Sequence, residues 1–421
     1  MSNIKTISIY GTLLFLYIYE FLIINTPAIF SSRKIVFIIL IFITFIRGSK
    51  KGLYKLKVEF KNEFIKIIGL CIYILGYLLI LRIVYPKVNG SNYIISRILY
   101  FIAYTIIGSQ MIVKYIRDIR IFLKSIIFAS IIQSTIVFLQ FSFYGFREFL
   151  NNTFVNEGNI SYLREDRANG LGAEGATLSL LLFCGLFACG YFIIIKKRVT
   201  FKLMIIYLYI LLSTMLVGRT GLLIGVINFI VILILISDKS IIKTIFSIIK
   251  MIIIFIIILF VFIKLTDNII ERDRIDKMFK WATSIFTKGI NDKSFIALTS
   301  MAIPSLTLET LLGTGIYRGV SALGTISQHD SGYVQSYFAI GLINSIVFYI
   351  MYYSFLFNII NKIKNRTSYK YFIWFLIIII IVEYKEPFIF RYIMSFMIIV
   401  CCILINKHEK LKSNFESVKQ I

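Results

Sequence analysis

Apolar residues run together along most of this chain, and polar residues appear mainly as short interruptions. Crossing ~30 Å of hydrocarbon takes about 20 consecutive apolar residues. Twelve runs approach that length: 7–30, 35–46, 64–82, 94–113, 121–145, 173–195, 201–218, 220–237, 241–263, 331–358, 371–384 and 387–406. Three of them (35–46, 201–218 and 371–384) need flanking residues to cross. Two polar stretches stand apart, 146–172 and the longer 264–330. In the second, Ile275, Met278, Phe279, Ala282, Ile285 and Phe286 recur at helical spacing between Arg274, Asp276, Lys277 and Lys280. That pattern predicts an amphipathic helix on a membrane face or over a cavity. A further apolar piece, Phe295–Leu312, is interrupted by Pro304 and is expected to re-enter the interface. No inverted internal repeat is visible. The expectation is an all-α integral membrane protein, one polytopic domain of about twelve transmembrane helices, with amphipathic helices in a long outer loop.

Composition supports the membrane assignment. Apolar types make up 58% and charged types 16%, where a soluble domain carries about a quarter charged residues. The 39 Phe and 26 Tyr argue against disorder. Net charge is +25, which in a soluble chain would suggest nucleic acid. In a membrane chain the same excess belongs to cytoplasmic loops. If the N-terminus is cytoplasmic and every run crosses, the inner segments hold 27 Lys/Arg and six acidic residues, against 19 and 15 outside. Both termini are therefore expected in the cytoplasm, with the two long loops on the outer face. Lys5 precedes the first run without a small-residue cleavage site, so that run reads as a retained helix. Cys71, Cys184, Cys189, Cys401 and Cys402 lie in apolar runs without ligand spacing and read as packing thiols. Neither a metal nor another cofactor is predicted.

Four polar constellations carry candidate chemistry. Arg164 and Arg167 precede Gly170, Gly172 and Gly175 at the start of an apolar helix. Forked donors beside a helix N-terminus suit phosphate or pyrophosphate, although the arginines could instead pair with Glu165 and Asp166. Arg219 sits in Gly218-Arg-Thr-Gly221, the turn between two spans. An ionisable residue at that depth is costly and a functional candidate, unless it only snorkels to headgroups. Gly313-Thr-Gly315-Ile-Tyr-Arg318-Gly319 leads to His329-Asp330-Ser-Gly332-Tyr333. The glycine spacing misses the dinucleotide fingerprint by one and follows no predicted strand. His329 or Asp330 could act as a base, or Asp330 could cap the next helix. Finally, Glu383, Lys385, Glu386 and Arg391 crowd the last outer turn, as substrate contacts or as an internal ion-pair cluster.

These segments, across roughly 160–345, resemble the Wzy family of polysaccharide repeat-unit polymerases and the related O-antigen ligases. The resemblance lies in the order of Arg167-Ala-Asn-Gly170, Gly218-Arg219-Thr220-Gly221, Gly313-Thr-Gly315 and His329-Asp330-Ser331-Gly332-Tyr333 ahead of Gly341, and in the Glu383–Glu386 turn. It implies a GT-C-like, metal-independent glycosyltransferase that joins undecaprenyl-pyrophosphate-linked oligosaccharides on the outer face of the bacterial plasma membrane. The implied partners are lipid-linked donor and acceptor oligosaccharides and membrane lipids, with a chain-length regulator as a further candidate and nucleic acid not among them. In the ligases a histidine stands ten positions ahead of a glycine after the long loop. Here Asp330 has ten positions between it and Gly341, and His329 is displaced by one. That departure favours polymerase over ligase, and a lipid-linked oligosaccharide flippase is the remaining alternative. On this resemblance Arg219, Arg167, Asp330 and His329 are the expected catalytic residues. Arg164, Arg318, Tyr333, Lys385, Glu386 and Arg391 are the expected substrate contacts.

Overall fold

The structure, a computed structural model, describes every residue except 1, 50–59, 86–90, 156–166, 173–174, 237–248, 250–252, 254–271, 292–295, 297–298, 388, 390–391 and 419–421. The expected span 241–263, Arg164 and Arg391 thus lie outside the described residues, apart from the isolated positions 249 and 253.

The chain is helical almost throughout. In order, the helices are α1 (Ser2–Ile18), α2 (Ser32–Ser49), α3 (Lys61–Val84), α4 (Ser91–Tyr100), α5 (Gly108–Tyr115), α6 (Ile119–Ser142), α7 (Tyr144–Thr153) and α8 (Gly175–Lys196). There follow α9 (Phe201–Val217), α10 (Arg219–Ile236), α11 (Arg272–Lys288), α12 (Leu308–Leu312), α13 (Gly332–Ile340), α14 (Leu342–Ile360), α15 (Arg366–Lys385) and α16 (Ile393–Val418). A π-helical stretch, Phe101–Ile107, joins α4 to α5. A two-residue antiparallel hairpin pairs β1 (Gly319–Val320) with β2 (Ile326–Ser327). Among the described residues, seven helices are long and apolar enough to cross a membrane: α3, Tyr93–Tyr115, α6, α8, α10, α14 and α15. Ile4–Ile18 and α9 are shorter apolar helices.

The residues gather into two compact units, Met1–Gly52 with Ile116–Gly289, and Leu53–Tyr115 with Ile290–Ile421. In the first unit α8 is the core. It is apolar on every side, and a helix of that kind must be buried on every side. All residues from Thr177 to Ile194 are buried, and α6, α9 and α10 pack around them. Polar groups inside this bundle bond to one another, as water would not be present to satisfy them. Ser134 meets Ser213 at 2.8 Å, and Tyr207 donates to Gly225 O at 2.6 Å. The first apolar run is not one helix. Arg33 donates Nε to Tyr17 O at 2.8 Å and Nη2 to Ile18 O at 3.1 Å, which satisfies the last carbonyls of α1. Its Nη1 pairs with Glu20 at 2.7 Å, so the chain turns at 19–31 and restarts as α2.

The second unit corrects the expected span 331–358. The chain breaks at Gly341, where φ is +86°, into α13 and α14. Nine helical residues rise only roughly 14 Å, so α13 cannot cross. The Gly313-Thr-Gly315 turn explains the break. Thr314 N–H donates to Phe338 O and Gly315 N–H to Ala339 O, both at 2.9 Å, so the turn caps the C-terminal end of α13. A Cβ on Gly313 would meet the backbone of Ile340 and Gly341, and one on Gly341 would meet that of Leu311 and Leu312. Two glycines are needed because two backbones touch. Gly341→Ala should therefore cost more than about 2 kcal/mol, from the left-handed φ and from overpacking. A drop in the detergent-solubilised thermal midpoint would register it, and a wild-type midpoint would show that the break tolerates a side chain.

Candidate functional site

In the first unit, the loop before α8 is shaped by α6. Gln133 and Gln140, one face of that helix, are buried. Gln140 Oε1 accepts from Asn169 N–H at 2.8 Å and from Gly170 N–H at 2.6 Å. Gln133 Nε2 donates to Leu171 O at 3.0 Å. Gly170 and Gly172 have positive φ, and a Cβ on Gly172 would strike Glu20 O. The sequence predicts that the backbone N–H groups of this loop face an anion. Those of Asn169 and Gly170 instead face Gln140.

The Arg167 guanidinium lies 3.9 Å from the centroid of the Trp281 ring. Arg219, the first residue of α10, lies 5.1 Å from the same ring. It also donates from Nη1 to Trp281 O at 3.4 Å and to Ser284 Oγ. Two guanidiniums from separate segments therefore meet on one indole, carried by the amphipathic helix α11. The glycines around Arg219 make room for this. Gly218 and Gly221 lie so close to Gly175 and Ser179 on α8 that a Cβ on either would collide with backbone, and Gly221 N–H donates to Ser179 Oγ at 3.1 Å. In α11, Ile275 is buried while Asp276, Lys277 and Lys280 are exposed, in keeping with the expected amphipathic pattern.

The second unit holds a cleft of about 550 Å³ lined by Tyr93, Arg97, Arg318, Asp330, Gln335 and Glu386 among others. Arg318 pairs with Asp330, so Asp330 is an ion-pair partner; the N-cap of α13 is Ser331, without a side-chain bond. Burial lowers the Arg318 pKa, and Glu386 opposes that shift. Gln335 Nε2 donates to His329 O at 2.9 Å and Asp330 O at 3.1 Å, folding the loop back onto α13. Arg97 stacks 4.0 Å from the Tyr93 ring centroid. At the loop entering the cleft, Glu309 accepts from Ser321 Oγ at 2.8 Å and Thr325 Oγ1 at 2.7 Å, tying the hairpin down.

His329 is buried, 5% exposed, and its Nδ1 accepts from Ser331 N–H at 3.0 Å. The neutral ring then carries its hydrogen on Nε2, leaving no acceptor nitrogen for a substrate proton. Burial, and secondarily Arg318, hold its pKa below the usual 6.5. Such a group binds fewer protons folded than unfolded. Its contribution to stability is complete above about pH 6.5 and lost as pH falls toward the folded value. His329→Asn keeps an acceptor for the Ser331 N–H and should flatten this acid-side loss, whereas His329→Ala should cost about 1–2 kcal/mol at pH 7.5. Thermal midpoints between pH 5 and 7.5 would show it, and identical acid limbs for wild type and His329→Asn would refute it.

The other expected contacts distribute differently. Tyr333 turns away from the cleft lining, its hydroxyl on Tyr353 at 2.8 Å and Ile380 O at 2.9 Å. Glu383, fully buried, accepts from Tyr349 Oη at 3.0 Å and Ile389 N–H at 2.8 Å. Glu386 lines the cleft, and Lys385 ends α15 half-buried. Sequence reasoning did not single out Trp281, Arg97, Gln133 or Gln140. A signal existed for each of them: Arg97 and both α6 glutamines interrupt apolar runs, and Trp281 is one of two tryptophans in the chain. Set against protein-family models, characterised proteins and solved structures, the chain matches none. These comparisons leave the expected resemblance to polysaccharide polymerases without a test.

Proposed function

We propose that this chain is a polysaccharide repeat-unit polymerase of the bacterial plasma membrane, extending undecaprenyl-pyrophosphate-linked oligosaccharides on the outer face. The observation that carries the reading is the convergence of Arg167 and Arg219 on Trp281. Forked guanidiniums are the side chains best matched to a diphosphate. In this reading the two arginines bind the donor pyrophosphate and stabilise the charge that develops as it leaves. They take the part that a divalent ion plays in many transferases. The acceptor hydroxyl oxygen attacks the anomeric carbon, a base takes its proton, and the bond to pyrophosphate breaks. The second unit, taken by itself, offers a cleft with Arg97, Arg318 and Asp330 in its lining. Within that cleft Asp330 is a better base than His329, whose acceptor nitrogen is already bonded, and Arg318 orients Asp330 through their ion pair.

A gene-deletion strain separates this reading from its rivals. A missing polymerase leaves one repeat on the final acceptor. A missing ligase leaves polymer stranded on the lipid carrier, and a missing flippase leaves single repeats facing the cytoplasm. Only the first pattern is compatible with the proposal.

A further inference from the structure

At the other end of the first unit lies a cavity of about 670 Å³ that the polymerase reading does not use. The two basic runs 114–124 and 196–202, far apart in sequence, supply its mouth: Arg120, Lys124, Lys196 and Lys202 all line it. Behind them the lining is apolar, with Ile127, Phe128, Ile131 and Phe192 among its walls. Among the described residues, no carboxylate lines it. Asp118, next to this mouth in sequence, is engaged as the N-cap of α6, accepting from Arg120 N–H at 2.8 Å. The mouth sits at the start of α6 and α9 and the end of α8, while Arg219 follows the far end of α9. A helix of that length is roughly 25 Å long, so the cavity and the Trp281 cluster face opposite sides of the bundle. Concentrated Lys and Arg mark the cytoplasmic side, where the leaflet is rich in anionic lipid.

We infer that this cavity binds an acidic phospholipid, its phosphate held by Lys124, Lys196, Lys202 and Arg120 and its acyl chains lying along Ile127, Ile131 and Phe192. Two features select that occupant. Four cations around one opening favour an anionic headgroup, and an apolar interior continuous with them favours a hydrocarbon tail over a free anion. The inference does not depend on the polymerase reading, since none of these residues belongs to either cluster described above.

The test uses the purified, delipidated full-length chain and native mass spectrometry. Dioleoyl-phosphatidylglycerol is titrated against dioleoyl-phosphatidylcholine, which has the same tails and no net charge. The wild type should bind phosphatidylglycerol in preference. The triple variant Lys124→Gln, Lys196→Gln, Lys202→Gln should weaken that binding by on the order of 100-fold, since each cation near an anionic headgroup is worth roughly fivefold. Its phosphatidylcholine binding should be unchanged. The matching triple Lys→Arg variant keeps the charge and should keep the preference, and Ile131→Trp, which fills the crevice, should reduce retention of the lipid. Equal affinity for the two lipids in the wild type would overturn the inference. So would a preference that survives the triple Gln variant, or displacement of the lipid by millimolar inorganic phosphate, which would indicate a site for free anions.

Discussion

Arg219→Ala should abolish polymer extension, leaving only single repeats on the final acceptor. Arg219 opens α10 directly after the Gly218 joint, and its Nη1 reaches Trp281 O and Ser284 Oγ while the guanidinium carbon lies 5.1 Å from the Trp281 ring centroid. Alanine removes a charged donor aimed where leaving-group charge would build up. Removal of a single such donor costs on the order of 10²–10³ in turnover. Arg219→Lys restores the charge but not the planar fork or the stacking, and should recover little. The glycosyl ladder read from whole cells checks both variants. A normal ladder from Arg219→Ala, at wild-type protein level, would remove Arg219 from the reaction. The Gly218→Ala variant gives a different signature: its Cβ would meet Gly175 O and Ser179 Oγ, so loss of folded protein should accompany loss of product.

Glu383→Ala should strongly destabilise the second unit. The side chain is fully buried and its two oxygens accept from Tyr349 Oη at 3.0 Å and from Ile389 N–H at 2.8 Å. Truncation strands the Ile389 N–H and leaves the Tyr349 hydroxyl to Ser336 Oγ at 2.9 Å; a stranded buried donor costs about 1–3 kcal/mol, and the emptied volume adds to it. A loss of about 2 kcal/mol or more follows, read as a lower thermal midpoint of the detergent-solubilised protein. The carboxylate also fills the space over Gly332, where a Cβ would overlap Glu383 Oε1. Gly332→Ala should therefore be destabilising too, and less so when Glu383 is already alanine, with the approach to Pro387 Cα at 2.8 Å remaining. Additive losses in the double variant would show that the two residues do not share this contact.

Hydrophobic periodicity made the helices of the membrane core legible, and α3, α6, α8, α10 and α15 fall within a few residues of their expected runs. It failed where polar atoms interrupt a helix inside an apolar stretch. The run 7–30 contains Glu20, and its ion pair with Arg33 ends α1 early. The run 331–358 contains Gly341, whose neighbour is not visible in a linear reading because Gly313 is brought to it only by folding. The sequence offers the glycines at 170–175 as part of an anion site, yet Gly170 N–H donates to Gln140, and Gly313 and Gly315, which miss the dinucleotide spacing, cap α13. Glycine in a loop signals close approach, and the sequence does not say to what. Arg167 and Arg219 were singled out from charge at the edge of apolar runs, and both meet Trp281. The tryptophan itself was missed because its helix was read only for its apolar stripe.

The central claim is that Arg167 and Arg219 together bind a diphosphate over Trp281, and fluorescence tests it directly. The chain has two tryptophans, so Trp374→Phe leaves Trp281 as the only indole reporter. Farnesyl pyrophosphate added to this protein in excess chelator should change Trp281 emission saturably. The Arg167→Ala, Arg219→Ala double variant should bind at least about 100-fold more weakly, each charged hydrogen-bonding partner being worth about tenfold or more. Equal affinity in the double variant, or no saturable response in the parent, would contradict the account.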